Sequence, residues 1–517
     1  MPRWTYEALG ALLLAVVLFG LTEIPYAVAP RRVPPGTVFS GHLEYNEDLN
    51  VYYTFIRQGS EGRWLFANRA THLDHDPAFF NLEWLAVGRL AAATGQERAF
   101  QVWRAAGAVA LLLGFAALAR TALPQPRQRR VALLMCATGG GFGWLAGASA
   151  RPLDLSMGIH PFVQILWNPH FSLSAGLFLL FAASYTRGEQ GGGARWYGVA
   201  AALAFADGLV RPYDLITLFA ALALFLALDA LHARSLRRTA LRCLPLAVCA
   251  PLLVYYVWLF RVHPVFRYWS DQGVMPAAPL AGELAGLGLA GLLLLARLAL
   301  LRRMPLRGPI ERLLLAWLAA VVLLIHANRL PGLSGLMPYS PQLWTTLVPP
   351  VILLGLAPWR LRPGWLVALL LALNAASSAT LLAREYRRAG TDSTQLLRTS
   401  YLEAFRWLDR NGEPDDLVVC SYPTGNRFAR RAPVRVVLGH WSVTPEIARH
   451  AARVRRFYAE AMEADEARAF LAEVRARWVL VGPEERSLGG RTPDPALGLE
   501  AAGRFGDVVV YARPPGP

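Results

Sequence analysis

The sequence predicts a polytopic α-helical membrane protein with a small α/β domain at its C-terminal end. About 11 to 12 apolar stretches of roughly 15 to 22 residues fill positions 8–383 of the 517 residues. A stretch of about 20 residues matches the hydrocarbon thickness that a helix must cross. From 384 onward, charged residues are frequent and short β-rich runs alternate with helical patterns. We therefore predict a transmembrane module over 1–383 and a soluble α/β domain over 384–517.

The basic connections between apolar stretches predict the orientation in the membrane. Arginine is concentrated at 120–130, 232–242, 301–311 and 358–363, and such connections stay in the cytoplasm. The loop 30–76 and the whole C-terminal domain then lie outside a bacterial cytoplasmic membrane, which the chain crosses many times. The stretch 78–94 is predicted to be short or re-entrant, because otherwise the basic loop at 120–130 would lie outside.

Composition limits the chemistry. The net charge of +16 follows from these connections, so it does not indicate nucleic-acid binding. All 52 Lys and Arg residues are Arg, and hence no Lys can act as a base or Schiff-base nucleophile. A bound phosphate would be held by Arg, His or backbone groups. The four Cys are scattered and predict no disulfide framework.

An acidic run, Glu44-Tyr45-Asn46-Glu47-Asp48, lies in the first outer loop. Residues 43–58 are predicted to form a helix on the membrane surface with one apolar stripe facing lipid, made of Leu49, Tyr52, Tyr53 and Ile56. Glu44, Glu47 and Asp48 then share its polar side within roughly a 100° arc. These carboxylates are either general-base candidates for a substrate delivered by the membrane or a solvated acidic face.

Further polar residues lie in the predicted outer loops. His72-Leu73-Asp74-His75-Asp76-Pro77 precedes the next apolar stretch and is suited to a divalent metal, or to a sugar and a phosphate. Asp74, Asp76 and Asp154 are the candidate metal ligands, although their spacing matches no strong metal motif. Arg and His residues on the same side suit a lipid-linked phosphate. The candidate substrate-binding residues are Glu44, His75, Asp76, Arg151, His170, Arg211, Asp214, Arg267, Arg329 and Tyr339.

The segment Arg211-Pro212-Tyr213-Asp214 separates two apolar stretches, 196–210 and 213–231. Proline ends the first helix, and the turn brings Asp207, Arg211 and Asp214 together. Ionisable groups at membrane depth usually pair with one another or line a functional cavity. Both interpretations are open, because an Arg–Asp pair can also simply lock two helices.

This layout resembles the C-type glycosyltransferases (the GT-C superfamily), which include protein O-mannosyltransferases and the aminoarabinose transferase of lipid A. The acidic run with its interfacial helix resembles the first outer loop of that group. His75-Asp76-Pro77 before Phe79-Phe80 resembles its His/Lys-Pro-Pro element, although only one Pro follows here. Three tail segments resemble the outer domain of uncharacterised bacterial members: Tyr422-Pro423-Thr424-Gly425-Asn426, Gly439-His440-Trp441 and Val479-Leu480-Val481-Gly482-Pro483.

The resemblance implies glycosyl transfer from a polyprenyl phosphate or pyrophosphate sugar, with inversion. Because the acidic motif is not a plain Asp-Glu pair, the base is either Asp48 or Glu47. The acceptor would be a glycan, lipid or protein, and membrane lipids would be the other partners. No cofactor is required for a monophosphate donor, whereas a pyrophosphate donor would imply Mg²⁺ or Mn²⁺. A transporter or flippase for a lipid-linked sugar or polymer unit is the alternative, and an assembly protein anchored by the spans is a third.

Overall fold

The computed structural model describes residues 3–146, 152–230, 236–273, 275, 278–306, 308–327, 329–330, 340–459, 461–489 and 495–514. Up to residue 388 the described chain is almost entirely helical. The helices are α1 (Arg3–Arg32), α2 (Asn46–Ser60), α3 (Leu82–Thr94), α4 (Gln96–Ala122), α5 (Pro126–Thr138), α6 (Gly143–Ala146), α7 (Leu153–Ser156), α8 (Pro161–Trp167), α9 (Pro169–Arg187), α10 (Ala194–Val210), α11 (Pro212–Ala230), α12 (Leu236–Arg261), α13 (Arg267–Gln272), α14 (Leu280–Ala299), α15 (Gly308–Ala327), α16 (Val348–Leu356) and α17 (Gly364–Arg388). A strand, β1 (Thr37–Phe39), precedes α2, and a 3₁₀-helix covers Ser340–Thr346.

The protein is a multi-pass membrane protein. Among the described residues, seven helices are long and apolar enough to cross a membrane: α1, α4, α11, α12, α14, α15 and α17. An eighth span results if Leu153–Trp167 and Pro169–Gly192, which meet at 110°, are counted as one broken span. The sequence predicts about 11 to 12 spans because hydropathy also counts apolar stretches that form shorter helices. One of these is α3, whose 13 residues are about 20 Å long and agree with a short segment at 78–94.

The predicted span at 131–149 is also shorter in the structure. The helix α5 ends at Thr138, and the glycines that follow lie directly against other backbones. A Cβ atom at Gly141 would lie 2.1 Å from the carbonyl oxygen of Ala285, so only glycine permits this approach. The predicted span at 341–357 is likewise divided between the 3₁₀-helix and α16.

Small residues allow the central helices to pack closely. The helices α4 and α9 lie against each other, and a Cβ atom at Gly114 would lie 2.6 Å from the carbonyl oxygen of Gly176. A Cβ atom at Gly176 would lie 2.5 Å from the carbonyl carbon of Ala110. Close backbone approach through small residues is a common way to associate helices in a bilayer, where burial from water supplies no driving force.

The tail forms an α/β unit. Its helices are α18 (Thr399–Asn411), α19 (Tyr422–Phe428), α20 (Ile447–Tyr458), α21 (Ala464–Glu473) and α22 (Pro483–Arg486). Its strands are β2 (Leu396–Arg398), β3 (Leu417–Val419), β4 (Arg435–Val436), β5 (Ala476–Val481), β6 (Glu500–Phe505) and β7 (Val508–Ala512). Five strands form one sheet in the order β4-β3-β5-β7-β6. The pairs β3–β4 and β3–β5 are parallel, as the strand–helix–strand pattern predicts, and the other two pairs are antiparallel.

The first loop and the tail pack together, so both lie on the same side of the helical bundle. The strand β1 pairs antiparallel with β2. In the buried interface, the side-chain amide of Asn50 donates a hydrogen bond of 2.8 Å to Asn426. The guanidinium of Arg430 lies 3.0 Å from Nε2 of His42 and donates to Asn50 at 3.1 Å. The helix α17 continues to Arg388, past the predicted domain boundary at 383.

The carboxyl ends of β3 and β5 are held by one buried carboxylate. Glu485 accepts hydrogen bonds from the amide and hydroxyl of Ser421, from the amide of Gly482 and from the hydroxyl of Tyr401, at 2.7–3.0 Å. Because Glu485 is fully buried, loss of these acceptors would leave donors without partners. The segment 422–426, one of the three tail segments that carry the resemblance, belongs to α19.

We predict that Glu485→Gln lowers the stability of the tail by about 2–4 kcal/mol, because an amide replaces one of the two acceptor oxygens. Hydrogen–deuterium exchange of β3 and β5 in the full-length protein measures this loss. Glu484→Gln is the matched control, since the Glu484 side chain is 36% exposed and lies 3.5 Å from Arg427. Equal exchange in the two variants would contradict the prediction.

Candidate active site

A cavity of about 190 Å³ lies where the helical bundle, the first loop and the tail meet. Its wall combines α2, the turn between α10 and α11, the segments around α7 and α9, and the tail loop 440–443. Most of the surface is apolar, and aromatic and polar side chains both contribute to it. The aromatic residues at the wall include Tyr45, Tyr52, Trp84, Tyr213, Trp269 and Trp441. Such a wall suits an uncharged ring with polar substituents, because aromatic faces pack against its apolar side.

Asp48 supplies the carboxylate of this cavity. It lies in the first turn of α2, where the positive end of the helix dipole favours a negative charge. Its side chain is 39% exposed, and its Oδ1 lies 3.2 Å from Nε2 of His440. Tyr45, the residue before α2, has φ +55°. This left-handed conformation is costly for a tyrosine and is characteristic of functional sites.

The three carboxylates of the acidic run have different environments. Glu44 lies before α2 and pairs with Arg388, with Arg384 at 3.9 Å. Glu47 is exposed and accepts a hydrogen bond of 2.6 Å from the hydroxyl of Tyr422. Only Asp48 of the three lines the cavity. The expected shared polar face, with mutual repulsion among the three, is therefore absent.

The apolar stripe of α2 packs against protein, which corrects the expectation that it faces lipid. Leu49, Tyr53 and Ile56 are buried. Tyr52 stacks on Trp84, with ring centroids 4.4 Å apart. Burial, with Asp48 beside it, raises the pKa of Tyr52 well above its ordinary value, so its hydroxyl remains a hydrogen-bond donor. Hydrophobic periodicity identifies a buried face but does not distinguish lipid from protein as its partner.

His170 lies at the cavity wall, as predicted for a substrate-binding residue. Its ring lies 4.9 Å from that of Trp84, measured between centroids. Its Nδ1 contacts the buried carboxylate of Glu83, which also accepts a hydrogen bond of 2.5 Å from the indole of Trp103. Glu83 therefore fixes the orientation of His170. The sequence analysis did not select Glu83, because a single acid within an apolar stretch carries no spacing signal.

Arg211 and Asp214 lie behind the cavity wall and satisfy each other. Val210, Pro212 and Tyr213 reach the cavity, whereas Arg211 is fully buried and donates to Asp214 at 3.0 Å. It also donates to the hydroxyl of Thr345 at 2.6 Å and to the carbonyl of Gln342 at 2.8 Å. The second oxygen of Asp214 accepts from Ser174 at 2.6 Å. This network favours the helix-locking interpretation over direct substrate binding.

The remaining predicted cationic residues do not line the cavity. Arg267 is exposed at the start of α13 and lies 5.2 Å from the ring of Tyr268. Arg329 donates to Glu283 at 2.7 Å and to the carbonyl of Ala278 at 2.5 Å. Arg151 and Tyr339 lie outside the described residues. The expected meeting of several Arg side chains with the acidic loop is thus not found among the described lining residues.

The candidate metal ligands are separated. Asp74, His75 and Asp76 line an open depression next to Arg435 and Arg475, in contrast to the expectation that His75 and Asp76 contact the substrate near Asp48. Hydrogen bonding from Arg475 lowers the pKa of Asp74 to about 2, and burial lowers the pKa of His75.

Asp154, the third candidate metal ligand, has a different role. One of its oxygens accepts hydrogen bonds from the amides of Gly141 and Gly143 at 2.8 and 3.1 Å, so it stabilises the glycine turn after α5. In the described part of the chain, no group of three or more His, Cys, Asp or Glu side chains is arranged to hold a metal ion.

Comparison with known proteins gives the fold. No protein-family model and no curated protein matches the sequence. Apo oligosaccharyltransferase from Archaeoglobus fulgidus is 13% identical, with TM-score 0.57 over 97% of this chain and 74% of that one. The archaeal AglB complex with an inhibitory peptide and a dolichol-phosphate is 14% identical, with TM-score 0.56 over 91% and 69%. Mycobacterial arabinofuranosyltransferase AftD is 16% identical, with TM-score 0.54 over 98% of this chain and 40% of that one.

The chain has the GT-C fold. This confirms the fold that the resemblance implies. Within this GT-C fold, the base candidate Asp48 lies on the helix of the first loop, which packs against the tail.

The tail supplies site residues that the sequence analysis did not select. In the sequence, Gly439-His440-Trp441 stands out only as a segment that resembles the outer domain of uncharacterised bacterial members. In the structure His440 is buried, and it lines the cavity together with Trp441, Ser442 and Val443. One feature of the sequence could have indicated a site here, namely that this segment directly follows the short strand β4. Ligands of parallel α/β sheets bind beyond the carboxyl ends of the strands.

We predict that Arg211→Gln destabilises the protein by about 3–5 kcal/mol, because it leaves Asp214 buried without its cation. The double variant Arg211→Gln/Asp214→Asn should recover most of the loss, since both charges are then removed. Thermal unfolding in detergent measures the three proteins, with the exposed Arg267→Gln as control. A normal melting temperature combined with weaker binding of a polyprenyl phosphate in Arg211→Gln would instead support a phosphate-binding role.

Proposed function

We propose that this protein transfers a sugar from a polyprenyl-linked donor to an acceptor hydroxyl, with Asp48 as general base. The observation that carries the proposal is the position of the Asp48 carboxylate, in an aromatic-lined cavity that the tail helps to form, within a GT-C fold. The AglB structure that resembles this chain contains dolichol-phosphate, and another holds a tethered acceptor peptide. By analogy, we extend a lipid-linked donor and a separate acceptor to this protein.

In the proposed reaction, the acceptor hydroxyl gives its proton to Asp48 as its oxygen attacks the anomeric carbon. The bond between that carbon and the phosphate oxygen breaks, and the lipid phosphate leaves with the electron pair, so the configuration is inverted. A positioned base of this kind contributes about 10²–10⁴-fold to the rate. Glu47 is the weaker candidate, because it is exposed and bonded to Tyr422 outside the cavity lining.

The donor phosphate would be bound by groups at the rim of the cavity. His170 at the wall brings an imidazole into the cavity that Asp48 lines, whereas Arg211 is engaged by Asp214 and Thr345. Arg151, Tyr339, Arg267 and Arg329 remain predictions for this role. The predicted metal ligands do not fit a cation site, since Asp74 is paired with two Arg, one oxygen of Asp154 accepts hydrogen bonds from backbone amides, and no three such side chains gather among the described residues. No step of the proposed reaction therefore depends on them.

We place the reaction outside the cytoplasmic membrane of a bacterium. The contacts between the first loop and the tail put both on one side of the bundle. The basic connection between α4 and α5 lies at the opposite end of α1, where Glu7 pairs with Arg120 and Arg129. Because basic connections stay in the cytoplasm, the side that carries Asp48 is proposed to be the outer one.

The test compares Asp48→Asn with Glu47→Gln, which removes the neighbouring carboxylate of the same helical turn. Purified protein in nanodiscs is given a panel of synthetic polyprenyl-phosphate sugars, and released polyprenyl phosphate is measured by mass spectrometry. We expect Asp48→Asn to lower kcat by at least about 100-fold, with donor binding unchanged, and Glu47→Gln to stay within about threefold of wild type.

The same measurements address the transporter alternative. A flippase would move a fluorescent polyprenyl-phosphate sugar across a vesicle membrane at similar rates in wild type and Asp48→Asn. Wild-type turnover in Asp48→Asn, or translocation without any released polyprenyl phosphate, would refute the transferase proposal.

A further inference from the structure

We propose that His440 of the tail is a positioning residue, which holds the Asp48 carboxylate in the orientation needed to accept a proton. This inference rests on the proposed role of Asp48 as the base. It adds a residue from the other end of the chain to a site that would otherwise belong to the first loop and the helical bundle.

The hydrogen bonds around the imidazole determine its tautomer. Nδ1 of His440 accepts from the backbone amide of Ser442 at 3.3 Å and lies 3.0 Å from the hydroxyl of Ser442. A ring nitrogen that accepts a backbone N–H carries no hydrogen, so the neutral ring carries its hydrogen on Nε2. Nε2 is the atom that lies 3.2 Å from Oδ1 of Asp48. In this structure the N–H is not aligned for a hydrogen bond with any described group, so the proposal requires a small turn of the Asp48 side chain, which is 39% exposed, to complete the contact.

The loop that carries His440 is held rigidly. The hydroxyl of Thr444 accepts hydrogen bonds from the amides of Gly439 and His440, both at 3.0 Å, and the amide of Thr444 donates to the carbonyl of His440 at 2.9 Å. A Cβ atom at Gly439 would lie 2.6 Å from Cβ of Ala70. The tail loop that carries His440 therefore contacts the first loop directly. The ring of His440 is only 2% exposed and has little freedom to turn.

In this arrangement the two oxygens of the Asp48 carboxylate have different hydrogen-bond partners. In the proposed contact Oδ1, which lies 3.2 Å from Nε2, accepts from the imidazole, and Oδ2 is left for the acceptor hydroxyl. During the reaction the proton moves from the acceptor to Asp48, and His440 keeps its own hydrogen throughout. A hydrogen bond to a charged group contributes about 1.5–3 kcal/mol, and an orientation that is already set saves the cost of ordering the carboxylate. The effect should appear in kcat rather than in donor binding.

The experiment compares His440→Leu with His440→Gln in the nanodisc assay. Glutamine can place an N–H group near the position of Nε2, whereas leucine cannot. We expect His440→Leu to lower kcat about 10- to 100-fold with the donor KM within twofold, and His440→Gln to stay within about fivefold of wild type. His450→Leu is the matched control, because His450 is equally buried in the tail but faces His72. It should keep wild-type kcat.

A double-variant cycle distinguishes positioning from a general structural role. If His440 acts through Asp48, then Asp48→Asn/His440→Leu should be no slower than Asp48→Asn alone. Residual rates are read from long single-turnover incubations by mass spectrometry. Thermal unfolding confirms that each variant is folded, and His440→Asn replaces His440→Leu if the latter fails to fold, since its shorter amide does not reach the position of Nε2.

Wild-type kcat in His440→Leu would overturn the inference, and so would either of two further results. One is equal loss of kcat in His440→Gln and His440→Leu, which would mean that the N–H group is not needed. The other is a further loss of the same size when His440→Leu is added to Asp48→Asn. Failure of this inference is separable from failure of the proposed function. Wild-type turnover in Asp48→Asn removes the proposed function, whereas a slow Asp48→Asn beside a wild-type His440→Leu removes only the role of His440.

Discussion

The docking of α2 onto the tail determines where the candidate base lies. Asn50 bonds to Asn426, and Arg430 reaches both Asn50 and His42 in a buried interface. Each of these groups would cost about 1–3 kcal/mol if it were buried without a partner, so the register of α2 against the tail is strongly enforced. Asp48 lies just over half a helical turn before Asn50. Its carboxylate is consequently placed beside the loop that carries His440.

The acidic run illustrates how a fold separates residues that look equivalent in sequence. Glu44 contacts Arg388 and ties the first loop to α17, and Glu47 bonds to Tyr422 in the tail. Both carboxylates therefore stabilise the assembly of the three parts, and Asp48 is left at the cavity. Distributing the charges over different partners also removes the repulsion that a shared face would impose. The site therefore contains the carboxylate of Asp48, while Glu44 and Glu47 bind the segments around it.

What could be predicted from the sequence was mostly local. Apolar periodicity identifies α2, the position of Pro212 identifies the break between α10 and α11, and alternation of strands and helices identifies the α/β character of the tail. Hydropathy does not report what covers an apolar face, so the partner of the α2 stripe differs from expectation. The role of His440 could not be predicted either, because its burial and its distance to Asp48 arise only when distant segments pack.

The rigidity of the region around the cavity favours a transferase over a transporter. Alternating access requires helices or repeats to move against each other around a central site. Here Arg211 joins Asp214 on α11 to Thr345 on the 3₁₀-helix, and Ser174 on α9 completes the network. Separating these elements would expose buried charges to a medium of low polarity, which costs several kcal/mol. A fixed cavity with one oriented carboxylate suits chemistry, where the reacting groups must be held in place.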